Sequence, residues 1–191
     1  PGVQVKIAAD GEILVKGPNV FRGYFKKEAK TKEVFDREGW FKTGDIGELD
    51  KDGFLFIKGR KKYMILGWGG QNVFPEDIEF ELNKISGVKD SAVVGLEKPS
   101  GQVEIHSVLL GDIKEPEKVI AEVNRKLASF QKINGWSVWP EEDFPRSATR
   151  KVRKEEVIRW LKEKRLLVLR TLEGETVSHL VKLLYEITDI D

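Results

Sequence analysis

The sequence predicts an α+β fold: a strand-rich N-terminal stretch, then a compact C-terminal domain in which helices pack on a short sheet. Three observations predict it. Up to Gly59-Arg60, apolar residues alternate along short runs separated by Asp-Gly pairs, the pattern of hairpins. From Pro75 onward the apolar spacing becomes helical, first after Pro75 and again after Pro116. Between those helices lie two short runs rich in apolar residues, Ser91 to Leu96 and Val103 to Leu110, which read as strands.

Taken in order, Val3, Val5 and Ile7 alternate, Asp10-Gly11 supplies a turn, and Ile13 to Val15 continues as a strand. Lys26 to Phe35 has the composition of a short helix. Gly47 to Ile57 repeats the hairpin pattern, with Asp52-Gly53 at its turn. Lys61 to Leu66 reads as a basic-then-apolar strand, and Gly67, Gly69 and Gly70 as a loose turn. Pro75 opens a helix at the first helical position, where its missing N–H costs nothing; Glu76, Asp77 and Glu79 complement the helix dipole. Ile78, Leu82 and Ile85 share one face of it. A second helix from Pro116 turns Val119, Ile120, Val123, Leu127 and Phe130 toward a core, and Ser137 to Trp139 reads as a third strand. Lys154 to Lys164 is a further helix, carrying Val157, Ile158 and Leu161. Beyond Gly174, Val177, Leu180, Val181, Leu184 and Ile187 mark an apolar helical stretch.

Bulk composition narrows the function classes. With 191 residues, 40% hydrophobic and 34% charged, the chain is long enough to bury a core and charge-rich enough to be soluble. A net charge of +1 gives no reason to expect a nucleic-acid or membrane partner. The absence of cysteine excludes disulfides, thiolate metal sites and a cysteine nucleophile, and fits a cytoplasmic location. No apolar run is long enough for a transmembrane helix. The start Pro1-Gly2-Val3 is neither a signal peptide nor an initiator methionine, so the chain reads as part of a longer one. His106 and His179 have no partner at metal-ligand spacing, so no metal ligand is assigned.

Four segments have the makings of chemistry. In Gly39-Trp40-Phe41-Lys42-Thr43-Gly44-Asp45, a carboxylate follows a glycine turn and is suited to accept two hydrogen bonds from a ribose diol; a hairpin loop whose Asp caps its own backbone fits the same letters. The run Asp52 to Lys62 ends in Gly59-Arg60, a guanidinium fork suited to phosphate or diol oxygens, or a solvated basic strand end. Gly67-Trp68-Gly69-Gly70-Gln71-Asn72 lets backbone approach a ligand but lacks the Gly-Lys-Ser/Thr of a phosphate-binding loop. Phe144 to Lys154 places hydroxyl and small residues between Pro145 and Lys151, which describes a loop presenting a cation, to a developing phosphate charge or simply to solvent.

In this order the segments resemble the adenylate-forming superfamily of acyl-CoA synthetases, luciferases and peptide-synthetase adenylation domains. Gly11 to Val20 with Gly23-Tyr24 looks like its glycine–tyrosine segment, Phe41 to Asp45 like its aromatic–Lys/Arg–Thr–Gly–Asp segment, Gly59 to Glu79 like its hinge and loop, and Pro145 to Lys151 like its C-terminal lysine segment. The resemblance covers about residues 1–165. It implies that residues 1–61 are the end of a larger N-terminal domain, the remnant of a small β-barrel-like subdomain. Residues 62–165 would be a mobile C-terminal lid, and 166–191 a linker and helix opening a following domain. It further implies that Asp45 binds the ribose hydroxyls of ATP, that Arg60 contacts ribose or phosphate, and that Ile57 lines the nucleotide site. Lys62 would be the hinge, Gly69, Gly70 and Gln71 would border the path of the thiol, and Lys151 would bridge carboxylate and α-phosphate. Asn72-Val73-Phe74-Pro75-Glu76 after Lys61-Lys62 is similar to the long-chain fatty acyl-CoA synthetase branch. Two departures stand out: Arg150 sits where the family has glycine, and Gly67-Trp68-Gly69 replaces a serine-containing stretch.

The implied reaction joins a carboxylic acid, a fatty acid by this resemblance, to coenzyme A through an acyl-adenylate, with ATP and Mg2+ as cofactors and the lid rotating about Lys62 between the two halves. The phosphate loop and acyl pocket of such an enzyme are not found in this sequence, so the chain by itself is expected to be inactive. Two other readings compete. Glu175 to Ile187 resembles the first helix of an acyl carrier domain, which would make the acceptor a carrier protein. Arg146, Arg150, Lys151, Arg153, Lys154, Arg159, Lys162, Lys164 and Arg165 could mark a nucleic-acid-binding module, but Glu155, Glu156 and Glu163 interleave with them as on a solvated helix face.

Overall fold

The computed structural model describes residues 2–67, 69–98 and 101–166, and by packing the chain divides into two compact units, 1–138 and 139–191. The first unit begins with an antiparallel meander: β1 (Gln4–Ile7), β2 (Glu12–Lys16), β3 (Phe41–Leu49) and β4 (Leu55–Arg60), hydrogen-bonded in that order. The turns fall at Gly11 and Gly53, where the Asp-Gly pairs place them. A short helix, α1 (Glu28–Val34), bridges β2 and β3 and buries none of its residues. Instead, Phe21, Phe35 and Phe41 cluster beside it with ring centroids 5.2–5.6 Å apart.

The expected strand from Lys61 forms only in part. Lys61–Tyr63 is a single 3-10 turn, and the strand β5 is just Ile65–Leu66, paired with β6 (Asn72–Val73). The Met64 N–H donates to the Arg60 carbonyl at 3.0 Å, which turns the chain where a strand would have run on.

The remainder of the first unit follows the helical and strand patterns closely. α2 (Pro75–Leu82) starts with Pro75 in its first turn and buries Ile78 and Leu82 completely. β7 (Val88–Glu97) and β8 (Val103–Gly111) are antiparallel; α3 (Pro116–Lys126) then returns the chain so that β9 (Gly135–Val138) lies parallel to β8. One face of this sheet, through Val93, Ile105 and Leu109, packs with Ile78 and Leu82 of α2 and Val119, Ile120 and Val123 of α3. Two polar bonds set α2 on β7: Glu79 Oε1 accepts the Val93 N–H at 2.7 Å, and Ser91 Oγ donates to Asn83 Oδ1 at 2.7 Å. α3 ends at Lys126, short of Phe130, which sits in a 3-10 turn and still packs on the core.

In the second unit the Trp139 ring lies 5.3 Å from Phe144 and 4.8 Å from Trp160, and Trp139 Nε1 donates to the Asp143 carbonyl at 2.9 Å. Residues 154–166 are helical (α4), with Val157 and Leu161 buried. The carrier-like stretch from Glu175 and His179 lie outside the described residues.

Candidate active site

Asp45 and Arg60 are direct partners across β3 and β4, and their side chains meet: Arg60 Nε lies 3.0 Å from Asp45 Oδ1. Arg60 Nη1 also donates to the Thr43 carbonyl at 3.2 Å, so one guanidinium spans the bulged Thr43-Gly44-Asp45 stretch of β3. Thr43 Oγ1 donates to the Ile13 carbonyl (2.8 Å) and accepts the Asp45 N–H (3.1 Å), which ties the bulge to β2. The Asp45 carboxylate therefore does not cap its own backbone. That task falls to Asp36, whose Oδ1 accepts the Glu38 and Trp40 N–H groups at 2.9 Å each and whose carboxyl is held below its ordinary value by them, the Trp40 bond foremost. With Oδ1 on Arg60 and its side chain 29% exposed, Asp45 keeps Oδ2, which has no partner among the described residues, for an outside donor.

Beside this pair is a carboxylate the sequence motifs do not single out. Glu12 is 6% exposed, its Oε1 accepts the Gly44 N–H at 3.0 Å, and its Oε2 lies 2.8 Å from Lys61 Nζ. Lys61 also reaches Asp10 Oδ2 at 2.6 Å. The Lys61 ammonium pulls the Asp10 carboxyl below its ordinary value of 3.8, and the Asp10 and Glu12 carboxylates raise Lys61 above 10.5. The sequence signal was available: Glu12 opens the apolar run Ile13 to Val15, and an acid inside such a run must find a partner.

Lys62 follows immediately, exposed, with its Nζ 5.1 Å from the ring centre of Tyr63. Gly59 lets β4 come close to α2: a Cβ there would lie 2.6 Å from Glu76 Oε2 and 3.1 Å from the Phe74 ring. Next to Glu76, burial raises the Asp77 carboxyl above its ordinary value, with Lys58 opposing and Glu76 adding to the rise. Ile57 is 67% exposed on β4. Gly69, Gly70 and Gln71 form the exposed tip of the β5–β6 hairpin, closed by Gly67 N–H to Gln71 O (2.8 Å) and Gly70 N–H to Gly67 O (3.1 Å). Trp68 lies outside the described residues.

Lys151 belongs to the second unit and stands exposed at the base of a tight hairpin. Ser147 N–H donates to Lys151 O and Arg150 N–H to Ser147 O, both at 2.8 Å, while Ser147 Oγ accepts the Lys151 N–H at 3.2 Å. An Arg146 fork on Asp143 (2.7–3.0 Å) holds the hairpin's first strand, and Arg146 Nη1 donates to Arg150 O at 3.2 Å. The loop expected to present a cation is thus an internally bonded turn with a lysine beside it. The basic helix face carries its own counter-charge, with Arg153 Nη1 2.8 Å from Glu156. Of the predicted residues, the structure brings Asp45 and Arg60 into contact within the first unit, and Lys62 lies one residue past Lys61, which Glu12 links to the Gly44 amide beside Asp45.

No family model matches the chain. Among curated proteins, it is 40% identical over 164 residues to a 2-succinylbenzoate–CoA ligase of Bacillus mycoides, spanning 85% of this chain and 33% of that one. It is 50% identical over 99 residues to the long-chain-fatty-acid–CoA ligase FadD15 of Mycobacterium tuberculosis, spanning 52% of this chain and 16% of the relative. Among solved structures, ATP-bound MatB from Rhodopseudomonas palustris superposes with a TM-score of 0.73 at 32% identity, over 85% of this chain and 34% of that one. The o-succinylbenzoate CoA synthetase MenE from Bacillus subtilis, in complex with its acyl-adenylate intermediate, gives 0.73 at 30% identity, over 82% of this chain and 34% of that one. The chain therefore spans a third or less of the length of these curated relatives.

Proposed function

We propose, from the premise that the chain belongs to the adenylate-forming superfamily and corresponds to the C-terminal part of its CoA ligases, that it completes the active site of an AMP-forming acid–thiol ligase. A carboxylate attacks the α-phosphate of ATP, releasing pyrophosphate, and a thiol then displaces AMP from the acyl-adenylate. The observation that carries this reading is the Asp45–Arg60 pair, a carboxylate with one oxygen fixed and one open, two residues before the Lys62 position. In this reading Asp45 Oδ2 accepts the ribose hydroxyls of ATP, Arg60 contacts ribose or phosphate, and Ile57 borders the base.

Lys151 would stabilise the charge that builds on the α-phosphate and carboxylate as they join. The chain would then turn about Lys62, withdraw Lys151 and bring the Gly69-Gly70-Gln71 tip beside the thiol. The domain boundary at 61/62 is part of the same proposal. Magnesium is proposed to arrive with the nucleotide; the described residues contain no group of three or more His, Cys, Asp or Glu side chains that could hold a metal ion. Coenzyme A is the proposed acceptor. A fatty acid is the proposed acid, favoured by the 50% identity to a long-chain ligase and challenged by the longer match to 2-succinylbenzoate ligases. No helix among the described residues is long and apolar enough to cross a membrane; a cytoplasmic site of action is proposed with the ligase reading.

The test is a half-reaction split in the complete ligase that carries this chain. Lys151→Ala is expected to lower acyl-dependent ATP–pyrophosphate exchange by a factor of about 100 or more, while thioester formation from preformed acyl-AMP stays within about threefold. Equal loss in both halves would overturn the role of Lys151. Running the exchange with fatty acids beside 2-succinylbenzoate decides the acid.

A further inference from the structure

Glu12 takes no part in the reaction just described, yet it is 6% exposed beside the bulge that carries Asp45, and its two oxygens bond different donors. Oε1 accepts the Gly44 N–H at 3.0 Å, and Oε2 meets Lys61 Nζ at 2.8 Å. The Gly44 amide is the peptide next to Asp45, and Lys61 follows Arg60, so the carboxylate grips the chain beside each member of the Asp45–Arg60 pair. The sheet is irregular just here: the register shifts between Glu12 and Leu14 on one side of β3 and between Ile46 and Gly47 on the other. Regular ladder bonds therefore do not hold the bulge by themselves. A carboxylate taken out of water is stable only when its lone pairs are used, and Glu12 uses them on these two donors while Lys61 supplies the charge. Asp10 adds a second anion on the far side of Lys61 and keeps the ammonium in place.

We propose that Glu12 is a positioning residue for nucleotide binding: its carboxylate holds the Gly44 amide and Lys61 together and so sets Asp45 against Arg60 in the orientation that receives the ribose. The proposal rests on the reading of Asp45 as the ribose ligand. It makes Glu12 act through Asp45, so its loss weakens ATP binding and leaves the chemistry after binding nearly intact.

The experiment uses the complete ligase, with initial rates of ATP–pyrophosphate exchange giving KM for ATP and kcat separately, and hydrogen exchange by mass spectrometry over residues 41–46. Asp45→Ala is the reference. Glu12→Ala is expected to raise KM for ATP about tenfold, the size of one lost buried hydrogen bond, with kcat within about threefold and faster exchange over 41–46. Glu12→Gln offers one oxygen to two donors, so its KM should fall between wild type and Glu12→Ala. Lys61→Met cuts the other arm of the same clamp, so Glu12→Gln/Lys61→Met should raise KM for ATP by less than the product of the two single variants' effects, a non-additivity that independent sites do not produce. Faster exchange in Glu12→Ala with KM unchanged would reduce Glu12 to a structural residue and overturn the proposal, as would a double variant whose KM effect equals the product of those of Glu12→Gln and Lys61→Met. If Asp45→Ala itself leaves KM unchanged, the ribose-ligand reading falls first and this inference with it. Should Glu12→Ala not fold, the two glutamine variants carry the decision.

Discussion

Arg150 shows how much a single residue can say when its neighbours provide the comparison. In six hairpins among the described residues the first position donates to the carbonyl four residues on and accepts from the amide three residues on; these begin at Ala8, Asp36, Asp50, Gly67, Lys98 and Ser147. The fourth position of such a loop is left-handed, and five of the six carry glycine there: Gly11, Gly39, Gly53, Gly70 and Gly101, at φ of +79° to +85°. The sixth is Arg150 at φ +63°, one residue before Lys151. A side chain with a Cβ is strained in that region, by about 1–2 kcal/mol. Arg150→Gly should release that strain and, after the extra freedom of glycine in the unfolded chain, raise stability by about 0.5–1 kcal/mol. Urea unfolding of the two chains measures it, and an unchanged or lower midpoint would mean that the guanidinium makes a compensating contact. The departure from glycine was legible in the sequence; that the position needs φ > 0 was not, because the left-handed turn follows from hydrogen bonds between Ser147, Arg150 and Lys151.

At the scale of elements, legibility follows burial. α2 was readable because Pro75 marks its start and Ile78 and Leu82 fall on one face, and both side chains are 0% exposed. Leu82→Ala is expected to cost about 2–5 kcal/mol, since a fully buried leucine in a packed cluster leaves a cavity its neighbours cannot close; thermal or denaturant unfolding reads the loss, and a cost under about 1 kcal/mol would mean the cluster collapses around the gap. β7 and β8 were readable for the same reason, as short runs rich in apolar residues. The stretch after Arg60 was not. Its letters favour a strand, but the Lys61 ammonium is bonded to Asp10 and Glu12, residues some fifty positions away in sequence, and the backbone turns at Met64. The candidate site divides along the same line. Asp45, Arg60 and Lys151 stand in recognisable segments, whereas the Glu12 clamp is made of contacts between segments, which a one-dimensional reading does not record.

Across the whole molecule, the strand-rich part and the helix-on-sheet part both appear as the sequence predicts, and the family resemblance is matched by relatives of which this chain covers 33% and 16%. What was least visible beforehand is the surface of β4. Its residues Leu55, Phe56 and Ile57 are 38%, 50% and 67% exposed, the preceding Phe54 is 67% exposed, and β4 stands at the end of the four-stranded order. Unpaired N–H and C=O groups beside such side chains form a template for another strand. Handled alone at high concentration, the chain should self-associate: light scattering should rise with protein concentration, and Phe56→Lys/Ile57→Lys should suppress it without changing the unfolding midpoint by more than about 0.5 kcal/mol. A monodisperse wild-type chain would refute this. The practical meaning is one of colloidal behaviour: the strand that carries Arg60 toward Asp45 is also an apolar edge of its sheet, so precipitation on concentrating the chain would report an uncovered edge and not a failure to fold.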